Sequence, residues 1–507
     1  DVARSAATIT RTGPGAWTVT TATGGTDTLT GIEQVKFTDS SLYTTSETPY
    51  LIAGKSNVHL TSILSAGDVA GVKADGVTPW RMVGTPDGLG AFDNNDGTIT
   101  VLINQEIGAT AGVVREHGSV GAFVSRLIID KATLSVVSGD DLADKSYAWN
   151  GSSYTLTPLA IGRLCSADLP PVSAFYDAAS GLGTQDRIFM NGEETGSEGR
   201  GLAWVATGAE AGTVWELPKL GRFSWENAVA NGSTGAKTVV IGTDDSTPGQ
   251  VYFYIGDKQA TGTTIEKAGL TNGQLYGIKA AGIGANAQSE SSLNGAVPLS
   301  GNFTLVALNN SGNGAALETE SDAAGISEWW RPEDGAWDVL NANRFYFVTT
   351  ASTTGPSRLW ALDFVDAKDP SLGGTFTALL EGNEGHLMFD NLTVGADGTL
   401  MLVEDVGGNA RLGKVWHYDP KTDALTEVAA HDPARFLSGA PGFLTQDEEA
   451  SGVIEVTSML GTATTRAFLL DTQAHYGFGA SGSADRTEIV EGGQLQLMTI
   501  DTLVAGT

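Results

Sequence analysis

The sequence predicts an all-β fold, on three observations. Short apolar runs recur along the chain, rich in β-branched and aromatic residues, as in residues 97–104 (GTITVLIN), 251–255 (VYFYI), 344–349 (RFYFVT), 398–403 (GTLMLV) and 452–456 (GVIEV). Turn-forming residues crowd between them, and the chain holds 66 glycines. No amphipathic helical stretch stands out beyond three turns. The runs are too many for an ordinary sandwich. A strand ending in carboxylates, a Gly turn and a further strand recur with unequal spacing, which points to a β-propeller of about six irregular blades rather than a WD40 or kelch array.

Taken in order, residues 1–45 read as a small separate β segment and 46–507 as the propeller. Thr and apolar residues alternate through Ala16-Trp17-Thr18-Val19-Thr20. Asp419-Pro420-Lys421-Thr422-Asp423 reads as the hairpin between outer strands of one blade. Residues 491–498 (EGGQLQLM) read as a strand that closes the ring against an early one. The Gly-rich 282–287 (GIGANA) lacks a strand-turn-helix context and reads as a loop.

A hydrophobic content of 41% is enough for a full-sized core. Lys and Arg number 29 against 59 Asp and Glu, a formal net charge of −30. Such a surface repels a nucleic-acid backbone, so nucleic acid is excluded as a partner. It also repels free phosphate esters unless bound cations invert the local field. No segment approaches the ~20 consecutive apolar residues of a transmembrane helix. No leader-like segment opens the chain, so the expectation is a trimmed product or part of a longer polypeptide. Cys165 is the one cysteine, which excludes an intramolecular disulfide.

The carboxylates gather in Gly turns and at strand ends: 93–97 (DNNDG), Glu106, Glu193-Glu194, Asp244-Asp245, Glu333-Asp334, Asp390, Glu404-Asp405 and 446–449 (QDEE). Calcium takes six to eight oxygens from carboxylates, carbonyls and water. Loops that each offer one or two carboxylates to a central channel meet that demand, although a lone acidic turn is more often merely solvated. The six histidines show no HExxH or other paired metal spacing, and no GxSxG elbow or phosphate-cradling loop is present. The adjacent Trp329 and Trp330 suit a sugar site as well as a propeller core.

Two resemblances follow. Residues 27–37 (DTLTGIEQVKF) look like the strand-turn-strand units that accompany RTX calcium-binding repeats in type I secreted bacterial proteins; an ordinary hairpin is the alternative. Cys165 ahead of 191–194 (NGEE), together with 244–254 (DDSTPGQVYFY), 331–338 (RPEDGAWD), 389–405 (FDNLTVGADGTLMLVED) and 87–106, resembles the signature segments of PhoX-type alkaline phosphatases over residues 85–500. That family implies a large propeller with several calcium ions and a pair of irons in its channel, hydrolysing phosphate monoesters. On the resemblance, Cys165 would ligate iron, and Glu106, Glu193, Glu194, Asp244, Asp245, Glu333 and Asp390 would hold iron or calcium. Arg331 would bind the phosphate ester. Residue type alone leaves Cys165 open as a small buried apolar side chain and Arg331 as a structural ion pair. The insertion-like 178–186 (AASGLGTQD) departs from the family pattern. Two functions are therefore expected to compete: a secreted, calcium-dependent phosphomonoesterase, and a non-enzymatic extracellular or cell-surface protein that assembles through a calcium-stabilised propeller.

Overall fold

A computed structural model describes residues 2–284, 297–310 and 312–502. Among these the strands group into blades around a central axis, and the fold is an all-β propeller. Blade 1 runs outward through Pro86–Asp93, Thr98–Gln105, Phe123–Asp130 and Ser135–Asp141. Blade 2 contains Ile188–Gly192, Gly201–Val205 and Thr213–Glu216, and residues 164–168 bridge to its axial side. Lys145–Trp149 then pairs parallel to its third strand.

Blade 3 begins at Trp225–Ala230 and blade 4 at Pro332–Trp337. Their outer strands, Ser300–Leu308 and Gly374–Leu380, pair with each other and fuse the two blades into one sheet. Blade 5 begins at Phe389–Val394 and blade 6 at Glu448–Glu455. The expected hairpin at Asp419–Asp423 connects Lys414–Asp419 to Ala424–His431. The 282–287 loop is described only to residue 284; its remainder lies outside the described residues.

Ring closure uses an early strand, as the sequence suggests. Glu491–Asp501 pairs with Val58–Ser65, and Leu51–Ala53 adds to the outer edge of blade 5. Gln494 and Gln496 fasten the closure by accepting from the backbone N–H groups of Tyr50 and Leu51 at 2.8 and 3.1 Å.

The apolar cores lie between neighbouring blades, because each sheet buries both faces. Tyr346, Leu359, Phe389 and Leu402 fill the gap between blades 4 and 5. Met401, Val415, Phe468 and Leu470 fill that between blades 5 and 6. Residues 7–29 form a three-stranded sheet with its own small core around Trp17, and Ser41–Tyr43 joins the outer edge of blade 1. The longest helix, Gly314–Ala324, is capped by Asn313, and no helix among the described residues is long and apolar enough to cross a membrane.

Leu64 on the closing strand is fully buried and opposite Leu495. Leu64→Ala is expected to lower unfolding stability by about 2–5 kcal/mol. Leu156→Ala, at a 63% exposed position, should change it little. Equal urea midpoints for the two variants would show that the closure contributes nothing to stability.

Candidate metal centre

One local device, repeated from blade to blade, builds the site. In blade 3, Trp225 pairs with Asp244 and Ala228 with Gly242, so Glu226 and Asn227 oppose the single residue Thr243. The same one-residue excess sets Asp87-Gly88 against Asn104, Glu333-Asp334 against Val348, Asp390-Asn391 against Val403, and Ser451-Gly452 against Asp471. In blade 2 the bridges Leu164–Glu193 and Asp168–Met190 enclose a similar excess around Cys165. A β-bulge kinks its strand and re-aims a side chain. Here it brings Asp87, Cys165, Glu226 and Asp390 together at one end of the channel.

A second layer comes from the ends of the next strands. Glu106, Glu194, Asp245, Thr350 and Asp405 each donate their backbone N–H to the residue two before the bulge. The acceptors are the carbonyls of Thr85, Arg163, Ser224, Arg331 and Met388, at 2.8–3.1 Å. Gln473 holds this position in blade 6. Its side-chain amide donates to Asp87 at 2.8 Å and to Glu106 at 2.6 Å.

This geometry sorts the sequence-derived candidates. Glu106, Cys165, Glu194, Asp245, Glu333 and Asp390 converge on the ring, with Arg331 at its rim. Glu193 and Asp244 do not, because consecutive strand residues point to opposite faces. Glu193 is held by Arg200 at 2.5 and 2.6 Å and by the N–H of Gly162 at 2.9 Å. Asp244 accepts from the Ser246 hydroxyl at 2.7 Å.

Sequence reasoning passed over Glu226 and Arg163, and it noted Asp87, Asp405 and Glu449 only as parts of longer strings. A signal for Glu226 is present: a carboxylate inside the apolar run 223–230 (FSWENAVA) needs a partner if the strand is buried. Arg163, two residues before Cys165, stands as Arg331 does two residues before Glu333.

Among the described residues four groups of ligand atoms lie mutually within 4.8 Å; besides Glu318, Asp322 and Glu328, they are Asp87, Glu106 and Cys165; Cys165, Glu226 and Asp390; and Asp390, Asp405 and Glu449. The last three concern the channel. Shared Cys165 and Asp390 link them into one chain across the channel. Asn391 spans the layer, its amide donating to Asp87 at 3.1 Å and to the Ser166 hydroxyl at 2.6 Å. Glu226 Oε2 and Asp390 Oδ1 are buried and have no hydrogen-bond partner among the described residues. A buried carboxylate oxygen without a donor is costly. Such oxygens, with one thiol, are the donor set of a hard or borderline divalent cation, so the residues fit metal ions.

The electrostatics agree. Burial, then repulsion from neighbouring carboxylates, pushes Asp87, Glu226, Glu333 and Asp390 well above the usual carboxylate range. The same causes bring Glu194 to about 8 and Asp405 to about 7. Burial likewise raises the Cys165 thiol. Opposing charge comes from Arg163, 2.5 Å from Glu106 and 2.7 Å from Glu194, and from Arg331, 2.8 Å from Asp245 and 3.0 Å from Glu333. Beneath the ring the channel opens into a cavity of about 810 Å³ lined by Leu89, Val229, Trp337 and Leu392.

A pH dependence follows. Between pH 6.5 and 8.5 the unfolded chain keeps these carboxylates ionised, whereas folded Glu194 and Asp405, with pKa values near 8 and 7, lose protons. The folded state therefore binds more protons at the lower pH, and stability falls as pH rises. The melting temperature of metal-stripped protein should drop across this interval, and saturating calcium should flatten the drop. A melt that rises with pH in the stripped protein would refute the burial of these acids.

No protein-family model matches the sequence, and no relative among curated proteins is detected from it. Among solved structures, Pseudomonas fluorescens PhoX in complex with vanadate, a transition-state analogue, superposes with a TM-score of 0.56 at 12% identity, covering 89% of this chain and 96% of that one. Chaetomium thermophilum Sqt1, bound to the N-terminus of the ribosomal protein L10, gives a TM-score of 0.36 at 8% identity over 82% of this chain and 97% of that one. At 12% identity the likeness to PhoX is one of fold alone. The chain shares the propeller architecture of PhoX.

Proposed function

We propose that the channel end is a multinuclear metal centre and that the protein hydrolyses phosphate monoesters outside the cell. The observation that carries this reading is the chain of carboxylate groups linked through Cys165 and Asp390, set in a fold shared with PhoX. Calcium suits the oxygen-only positions, and iron suits the position beside the Cys165 sulfur. Bound there, the cations would polarise a phosphoryl group and neutralise charge developing on it.

The chain's own residues supply the rest. Asp87, Glu106, Cys165, Glu226, Glu333, Asp390, Asp405 and Glu449 would hold the ions. Gln473 and Asn391 orient Asp87 between them through their side-chain amides. Asp245 fixes the Arg331 guanidinium with two parallel hydrogen bonds of 2.8 and 2.9 Å to its Nε and Nη2, which leaves Nη1 at the rim as the donor for phosphoryl oxygens. The cations also explain how a chain of net charge −30 would admit an anionic substrate. Extracellular calcium is abundant enough to fill modest-affinity sites, which favours a secreted or cell-surface location, with type I secretion as the route.

One observation favours the non-enzymatic reading. Arg331 already answers both Asp245 and Glu333, and a guanidinium so engaged also serves as a plain structural counter-ion. In that case the metal-stabilised propeller would be a building block of an extracellular assembly.

Two variants separate the readings. Glu333→Gln should reduce metal content by elemental analysis and abolish p-nitrophenyl phosphate hydrolysis with it. Arg331→Ala should keep its metals and lose ~10²–10³ in turnover, as when one charge-stabilising donor is removed. A wild-type protein that carries calcium, shows no visible iron–thiolate absorption and is inert toward this ester would favour the structural reading.

A further inference from the structure

Arg163 is the pseudo-symmetry counterpart of Arg331. Each stands two residues before a bulge, ahead of Cys165 and Glu333 respectively. Each has a positive φ, 21° at Arg163 and 60° at Arg331, as do Thr85 and Met388 at the same step of blades 1 and 5. Only glycine adopts such angles without strain. The backbone holds both arginines there. Arg163 donates to Ile107 O at 3.0 Å and accepts from Glu194 N at 2.9 Å; Arg331 donates to Ser246 O at 3.2 Å and accepts from Thr350 N at 3.1 Å.

Their side chains repeat one pattern. Each guanidinium reaches the second-layer acid of the preceding blade, Arg163 to Glu106 at 2.5 Å and Arg331 to Asp245 at 2.8 Å. Each also takes an acid of its own blade, Glu194 at 2.7 Å and Glu333 at 3.0 Å. The arginine side chains are 53% and 28% exposed, whereas Glu106 and Glu333 are 5% and 2% exposed. The two cations thus form the solvent-facing layer over the acids, from two different sides of the ring. Neither Nη1 makes a hydrogen bond among the described residues.

Resting on the reading of the ring as a phosphate centre, we infer that Arg163 is a second anion-binding residue, acting with Arg331 on one phosphoryl group. A group gripped from two sides must offer free oxygens to both while another faces the ring. That condition fits a terminal phosphoryl group with three unesterified oxygens and disfavours a diester.

The test is calorimetric binding of inorganic phosphate to metal-replete wild type, Arg163→Ala, Arg163→Lys and Arg331→Ala, with metal content measured on each. Arg163→Ala should weaken phosphate by about tenfold to a hundredfold, the loss of a charge-assisted contact. Its metals should stay at the wild-type level, and Arg163→Lys should recover part of the affinity. In turnover assays Arg163→Ala should raise KM for a monoester more than it lowers kcat.

Wild-type phosphate affinity in Arg163→Ala, with weakened binding in Arg331→Ala, would overturn the inference and leave the phosphate centre standing. Metal loss in proportion to phosphate loss would also overturn it, making Arg163 a counter-ion to Glu106 and Glu194. Absence of phosphate binding by the wild type would bring down the inference and the phosphate reading together.

Discussion

Asp87, Glu106, Glu226, Asp390 and Glu449 belong to overlapping groups whose ligand atoms lie within 4.8 Å of one another, and each is at most 9% exposed. Ionised carboxylates at such spacing, shielded from water, repel strongly, and a propeller whose inner strands all start at this end cannot disperse them. The rest of the site answers that constraint. Gln473 and Asn391 donate into the cluster, and two arginines cap it. His475 joins them: burial alone would lower its pKa, but Glu449 and Glu491 raise it to about 11, so it too carries positive charge. These cations do not reach Glu226 Oε2 or Asp390 Oδ1. Protons or metal ions must neutralise that remainder, and metal ions would do so while organising it.

The architecture generates this cluster by repetition. A bulge after the first ladder pair of an inner strand turns one side chain toward the axis, and the following strand ends one residue later with another. Chemistry varies while the backbone stays constant: the bulge position carries Asp87, Cys165, Glu226, Glu333, Asp390 and Ser451 in chain order. The substitution of thiol for carboxyl at one position gives an otherwise oxygen-rich ring a distinct pole. Backbone strain concentrates at the residue two before the bulge, where Thr85 and Met388 share the conformation of the arginines without their charge.

Much of the fold was legible in the sequence because blade strands are short, apolar and punctuated by turn residues, and because the last strand had the pattern of an edge seeking a partner. The fusion of blades 3 and 4 through Ser300–Leu308 and Gly374–Leu380 was not, since edge pairing between blades leaves no periodic mark. Acidic strings located the site in part. They could not say which member of Glu193-Glu194 or Asp244-Asp245 faces the axis, because that depends on a one-residue offset set by the bulge. Glu226 escaped notice for the opposite reason: it is a single acid within an apolar strand. Asp87 stood only as the first residue of the 87–106 segment, and the role of each appears only when separate blades converge. Arg163 lies in no acidic string, and its likeness to Arg331 lies in its place two residues before the bulge.

The central claim is that cations replace protons among buried carboxylates. Calorimetric titration of calcium into chelator-stripped protein at pH 7, repeated in two buffers of different ionisation enthalpy, measures the protons released per ion bound. With Glu194 near pKa 8 and Asp405 near 7 before metal binding, calcium binding is expected to expel protons, and to expel fewer at pH 9. Binding with no buffer dependence, or no binding, would show that these carboxylates are already ionised and solvated, contradicting the claim.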